Sequence, residues 1–272
     1  MFLNTVILVL QEILEAALLV SVLLGLSRLL TQNTKEGLQI NMSWLPLAIL
    51  TGLGGAWLYA SVTPIVSEWF DYVGLEVLNA SMQVAILFAL AMFCFMFTDK
   101  NRNTSARMLS RLAPILMCII VSLGVIREVS EIILYLNGVL GDPANMSPIV
   151  LGTLVAAGIG VSSGIVLYLI IISLPVLWSY RICLLLLALF AGNMASQATL
   201  LLTQADWLPY TVQLWDTSGV IPEFSVIGQL LYALVGYEAN PSLLQAGLYL
   251  GSALLIAFSP LFLLAWKRNK QE

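Results

Sequence analysis

The chain has 272 residues, 60% of them hydrophobic and 10% charged, with a net charge of -4. Ordinary soluble domains are about a quarter charged, so the composition indicates a polytopic membrane protein and offers no basic face for nucleic acid. No histidine occurs, which excludes imidazole metal sites, histidine proton shuttles and Ser-His or Cys-His catalytic pairs; an enzyme is not expected.

Apolar runs long enough to span a bilayer begin near Met1, Trp44, Val77, Leu112, Pro148, Ile182 and Leu243. They predict an all-α protein with seven transmembrane helices in a single membrane domain, residues 1–272. The first run lacks a basic leading region and carries two acids at its middle, so it is expected to stay in the mature protein instead of being cleaved as a signal peptide. Those acids lie in Gln11-Glu12-Ile13-Leu14-Glu15. Glu68, Asp71 and Glu76 precede the third helix; they read equally as a solvated loop or as an outer funnel for cations, with Glu76 nearest the membrane. Met92 and Met96 on that helix are one turn apart, a spacing that suits packing better than copper(I). The fourth helix carries Arg127-Glu128-Val129-Ser130-Glu131 at mid-span.

The fifth helix has a stripe of Ala156, Gly160 and Gly164, which lets helices approach closely. Asn193 and Gln197, one turn apart on the sixth, are expected to form interhelical hydrogen bonds, with lining of the pathway as the alternative. Phe224 to Gly236 is apolar but too short to span, predicting an interfacial or half-inserted helix on the outer side that leads through Pro241 into the seventh. Cys94, Cys118 and Cys183 stand apart in apolar segments and indicate neither a disulfide framework nor a zinc knuckle.

Basic residues favour cytoplasmic loops. Arg28 and Lys35 come after the first helix, Lys100, Arg102, Arg107 and Arg111 after the third, Arg181 after the fifth, and Lys267, Arg268 and Lys270 after the seventh. The alternate connections hold Glu68, Asp71, Glu76, Asp142, Asp206, Asp216 and Glu223 and no Lys or Arg. The N-terminus is therefore expected outside and the C-terminus in the cytoplasm, in a multi-pass protein of the cell membrane (the inner membrane in a Gram-negative bacterium). Helices one and four then run in opposite senses, which predicts a 3+3 inverted repeat: residues 1–98 and 99–205, then 206–272 with the short outer helix and helix seven.

Glu12 and Glu15 are three apart, as are Glu128 and Glu131, so each pair projects from one helix face. A charge near the bilayer centre costs about 2.5–3.5 kcal/mol, so these groups need partners or a bound ion. Two opposed faces would gather carboxylate oxygens for a hard cation such as ferric iron, manganese, calcium or magnesium. Arg127, four residues before Glu131, can brace it.

These residues resemble the iron permease family, oxidase-dependent iron transporters that carry two R-E-x-x-E motifs on the first and fourth of seven helices. Arg127 to Glu131 matches one motif fully, and Glu12 and Glu15 match the acids of the other. Further agreement lies in Glu76, in the small residues around Ala191-Gly192, and in Gly236-Tyr237-Glu238 with Pro241-Ser242 soon after. The resemblance implies import of iron, as ferric ion, through Glu12, Glu15, Glu128 and Glu131, with Glu76 as a further metal residue and Gln11 and Arg127 in support. It implies iron as cargo with no permanently bound cofactor, and a ferrous-oxidising or iron-delivering partner protein at the outer face. Gln11 departs from the family's arginine. It can bond Glu15 one turn away and preserve the site, or mark a changed charge balance. A manganese carrier, and a non-transporting metal-sensing or assembly subunit, are the alternative readings.

Overall fold

The computed structural model describes residues 2–33, 42–98, 102–139 and 146–259. Every regular element among them is a helix: α1 (Phe2–Asn33), α2 (Trp44–Val66), α3 (Gly74–Thr98), α4 (Arg102–Val139), α5 (Met146–Ser173), α6 (Val176–Gln204), α7 (Val226–Val235) and α8 (Leu243–Ala257). Between α2 and α3 the chain makes one left-handed turn through Phe70, Asp71 and Tyr72, at φ 52, 61 and 72°.

Helices α1 to α6 are long and apolar enough to cross a membrane. Their outer faces agree with that, because Leu50, Trp57, Phe88, Leu154 and Leu177 are all more than half exposed. Such an apolar surface is stable only against lipid or protein. Where a seventh spanning helix is expected, the described residues hold the 15 residues of α8, shorter than the six helices that can cross. Residues 260–272 lie outside the described residues and include Lys267, Arg268 and Lys270; Lys35, Lys100 and Asp142 lie outside them too.

Several helices begin earlier than the apolar runs suggest. Residue Gly74 opens α3, Arg102 opens α4 and Val176 opens α6, and α1 runs on to Asn33, which places Arg28, Arg107, Arg111 and Arg181 inside helices instead of in connections. Arginine is a good helix former, and a helix has no reason to stop where the hydrocarbon ends.

Packing is guided by small residues. The most extensive contacts join α1 to α5 and α2 to α4, and α3 packs on α6. On α5, Gly152, Ala156, Gly160 and Gly164 are buried against α1, as the stripe predicts. A Cβ at Gly160 would meet Ile13 Cγ2 at 2.5 Å, whereas one at Gly158 meets nothing within 4 Å. Gly160→Leu is therefore expected to destabilise the protein by about 1–3 kcal/mol, and Gly158→Ala to leave it unchanged. Thermal unfolding of both variants in detergent checks the contrast.

The apolar core is built from Leu19 to Leu29 of α1, Ile86, Leu90 and Phe93 of α3, Ala113 to Val125 of α4 and Cys183 to Met194 of α6. It fills the part of the bundle toward the end where α1 finishes. Met96 packs against it while Met92 faces outward.

Candidate functional site

The acidic pairs meet where α1 and α4 cross beside α6. Helical spacing turns Glu12 and Glu15 to one face of α1 and Glu128 to the facing side of α4; all three are at most 5% exposed. Glu131, one turn along α4, stands at the rim with its side chain 40% exposed.

Arg127 occupies the middle. Its Nη1 donates to Glu128 Oε1 at 2.9 Å and to Glu15 Oε2 at 3.2 Å, and its Nη2 donates to Gln197 Oε1 at 2.6 Å. The expected brace to Glu131 is the longest of its ion pairs, Nε to Oε1 at 3.5 Å. The guanidinium prefers the buried partners because its planar fork can engage two carboxylates and an amide together where no water competes.

One guanidinium does not neutralise four carboxylates. Oxygens Glu12 Oε2, Glu15 Oε1 and Glu128 Oε2 are buried without a hydrogen-bond partner, although the carboxyls of Glu12 and Glu128 lie within hydrogen-bonding reach of each other. Two bare carboxylates at that range repel, so a proton or a cation must stand between them. Among the described residues no three acidic or cysteine groups are gathered in an arrangement that would hold a metal ion; the guanidinium fills the centre of the group.

An amide network extends the site. Gln197 Nε2 donates to Asn193 Oδ1 at 2.9 Å, one turn apart on α6, and Gln83 Nε2 of α3 donates to Gln197 Oε1 at 3.0 Å. The interhelical role expected of Gln197 is thus realised through Arg127 and Gln83. Gln83 is absent from the residues that the motifs mark out. A signal for it exists nonetheless, because Asn79-x-x-x-Gln83 on α3 repeats as Asn193-x-x-x-Gln197 on α6, at a similar remove from the acidic pair of each half.

Gln11 makes no hydrogen bond to Glu15. It lines a cavity of ≈ 210 Å³ with Asn193, Gln197, Tyr232, Glu223 and Glu238 among its walls. The cavity reaches the surface at Phe224, which is 90% exposed. Its inner wall adjoins the ion pairs through Gln197 and through Tyr232, which interacts electrostatically with Glu15 and Arg127. Burial holds the Glu238 carboxyl above its ordinary range, an effect that the Gln245 amide, donating to both oxygens at 2.9 and 3.0 Å, partly offsets.

Helix α7 brings Tyr232 to this place. Ser225 caps its start by accepting from Gly228 N, and Gly236 ends it at φ 66°, with Gly236 N donating to Tyr232 O and Tyr237 N to Leu231 O. This is the pattern of a left-handed glycine stop. A Cβ on Gly236 would also meet Asn193 Oδ1 at 2.7 Å. Leu234 lines a small apolar cavity with Val22 of α1 and Leu187 and Phe190 of α6, so α7 packs against the bundle.

Glu76 is not brought into the cluster. It lies half-buried in the first turn of α3, and it and Glu131 are both near Tyr59, whose hydroxyl donates to Asn79 Oδ1 at 2.8 Å. Glu68 and Asp71 are both exposed. Comparison with family models, with curated proteins and with solved structures gives no match to this chain.

Proposed function

We propose that this protein is a cell-membrane permease importing a hard cation, iron in its ferric form foremost, through the carboxylates of Glu12, Glu15 and Glu128, with Glu131 at the rim. The observation that carries the reading is the excess of negative charge: one guanidinium pairs with Glu15, Glu128 and the half-exposed Glu131, Glu12 is buried beside them, and one oxygen each of Glu12, Glu15 and Glu128 has no partner. Burying charge on this scale is unfavourable unless an ion answers it. The oxygen-only donor set suits a hard ion, and the resemblance to the iron permeases supplies iron.

The bundle suits carriage in a particular way. A polar cavity approaches the carboxylates from the end where α1 begins, and an apolar core closes the other end. The loading ion would enter past Gln11 and Tyr232 and displace Arg127 from Glu15. In the topology favoured by the basic residues, that entrance faces outward, where an iron-delivering partner would dock. The inverted repeat is supported by the pairing of helices: exchanging the halves turns the α1–α5 contact into α4–α2 and leaves α3–α6 unchanged.

Uptake of labelled iron into vesicles containing only this protein tests the proposal. A second reading, a subunit that holds an ion without carrying it, is favoured by the way Arg127 closes the carboxylates; binding without uptake would select it. Gln11→Arg is expected to weaken ion binding, more for trivalent than for divalent ions. The second guanidinium, one turn from Glu15, competes with the cation for that carboxylate. Ion titrations of the two purified proteins provide the check, and equal affinities would place Gln11 off the route.

A further inference from the structure

Resting on the cation-permease reading, we infer that Gln83 is a positioning residue for Arg127: its amide oxygen receives the guanidinium when the ion takes Glu15. Donors and acceptors along the network leave little freedom. Arginine can only donate, so Gln197 must turn its oxygen to Arg127 Nη2 and its nitrogen to Asn193 Oδ1. Gln83 must then offer its own nitrogen to the same Gln197 oxygen. What remains is Gln83 Oε1, an acceptor on a residue 1% exposed, with no donor of its own.

A buried amide oxygen without a donor is costly and uncommon. The guanidinium carries its complement, because Arg127 Nε is a buried donor with no hydrogen bond, its 3.5 Å approach to Glu131 Oε1 being an ion pair only. The two groups are neighbours. Arg127 Nη2 and Gln83 Nε2 reach one Gln197 oxygen at 2.6 and 3.0 Å, so they stand no further apart than those two lengths laid end to end. A short side-chain movement brings guanidinium and amide oxygen together. The chain pattern agrees, since Gln83 and Gln197 hold the same place in Asn-x-x-x-Gln on α3 and α6, and Gln197 already accepts Arg127.

Loading creates the need for such an acceptor. With Glu15 given over to a cation, Arg127 Nη1 loses one of its two carboxylates, and a buried guanidinium short of acceptors opposes the exchange. Gln83 Oε1 supplies an acceptor without adding charge, so the arginine stays within the bundle and returns to Glu15 when the ion leaves.

The competing account makes Gln83 only an anchor for Gln197, and two substitutions separate them. Gln83→Met removes oxygen and donor alike, whereas Gln83→Glu keeps oxygens and loses only the donor. The positioning role predicts that Gln83→Met weakens manganese(II) binding to the purified full-length protein by roughly tenfold or more, the worth of one hydrogen bond to a buried charge. Gln83→Glu should bind manganese(II) at least as tightly as the wild type, because a carboxylate receives the guanidinium more strongly than an amide does. Gln83→Asn, which draws the amide back by one methylene, is expected to show the loss of Gln83→Met and replaces it if that variant does not express. A double-mutant cycle then shows whether Gln83 works through Arg127. Arg127→Lys lacks the second arm that lies beside Gln83, so in that background Gln83→Met should add little further loss.

Equal losses in Gln83→Met and Gln83→Glu would establish the anchor and overturn the inference. Losses that add in full in the double variant would show Gln83 acting independently of Arg127 and overturn it too, as would wild-type binding in every variant. A wild-type protein that binds neither manganese(II) nor iron would instead remove the permease reading, and the inference with it.

Discussion

Arg127→Ala is expected to cost the protein about 3–5 kcal/mol, the range for removing one partner from a buried charge pair. The side chain is 4% exposed and engages Glu15, Glu128 and Gln197 directly. Its removal leaves carboxylates facing one another across an empty space, with Gln197 deprived of its strongest donor. Arg127→Lys keeps the charge but has one ammonium in place of a fork, so it should lose less. Thermal unfolding in detergent, with the yield of folded protein alongside, ranks the two variants. If they unfold together at the wild-type temperature, the guanidinium does not hold this part of the bundle.

Glu128→Gln is expected to act in the opposite sense on folding and transport. It conserves size and relieves the repulsion between Glu128 and Glu12, so the protein should insert and fold at least as well as before. It also removes an anionic oxygen from the centre of the proposed site, and iron uptake should fall by roughly a hundredfold, equivalent to about 3 kcal/mol of lost interaction. Glu131→Gln, at the half-exposed rim, should fold normally and lose less, because solvent already weakens what that carboxylate contributes. Normal uptake by both variants would sink the assignment of these carboxylates to the ion.

The legible and illegible parts of this chain divide along physical lines. Apolar runs and the acidic pairs stand out because a bilayer penalises exceptions, so the positions of α1 to α6 and the mutual approach of Glu12, Glu15 and Glu128 can be read from residues alone. Helix ends cannot, since hydropathy reports where hydrocarbon stops and not where backbone hydrogen bonding does; α4 begins at Arg102, well before the apolar run that opens near Leu112. The partners of Arg127 are hidden for a related reason. Spacing along one helix identifies Glu131, but a buried fork selects partners in three dimensions, and Glu15 and Gln197 arrive from α1 and α6. Tyr232 gives no signal, being one aromatic residue in a short apolar stretch, whereas Gln83 is detectable in the repeated Asn-x-x-x-Gln.

The way α7 ends has an electrostatic consequence of its own. Its ten aligned peptide dipoles leave roughly half a negative elementary charge at the carboxyl end, and the turn at Gly236 brings that end against Asn193, beside the inner wall of the cavity. This charge belongs to the backbone, so acidification does not remove it and no side-chain substitution deletes it. On the proposed permease function, a cation approaching the buried carboxylates would meet an attraction from this helix end that persists even when every nearby acid is protonated. Only unwinding α7 would switch it off.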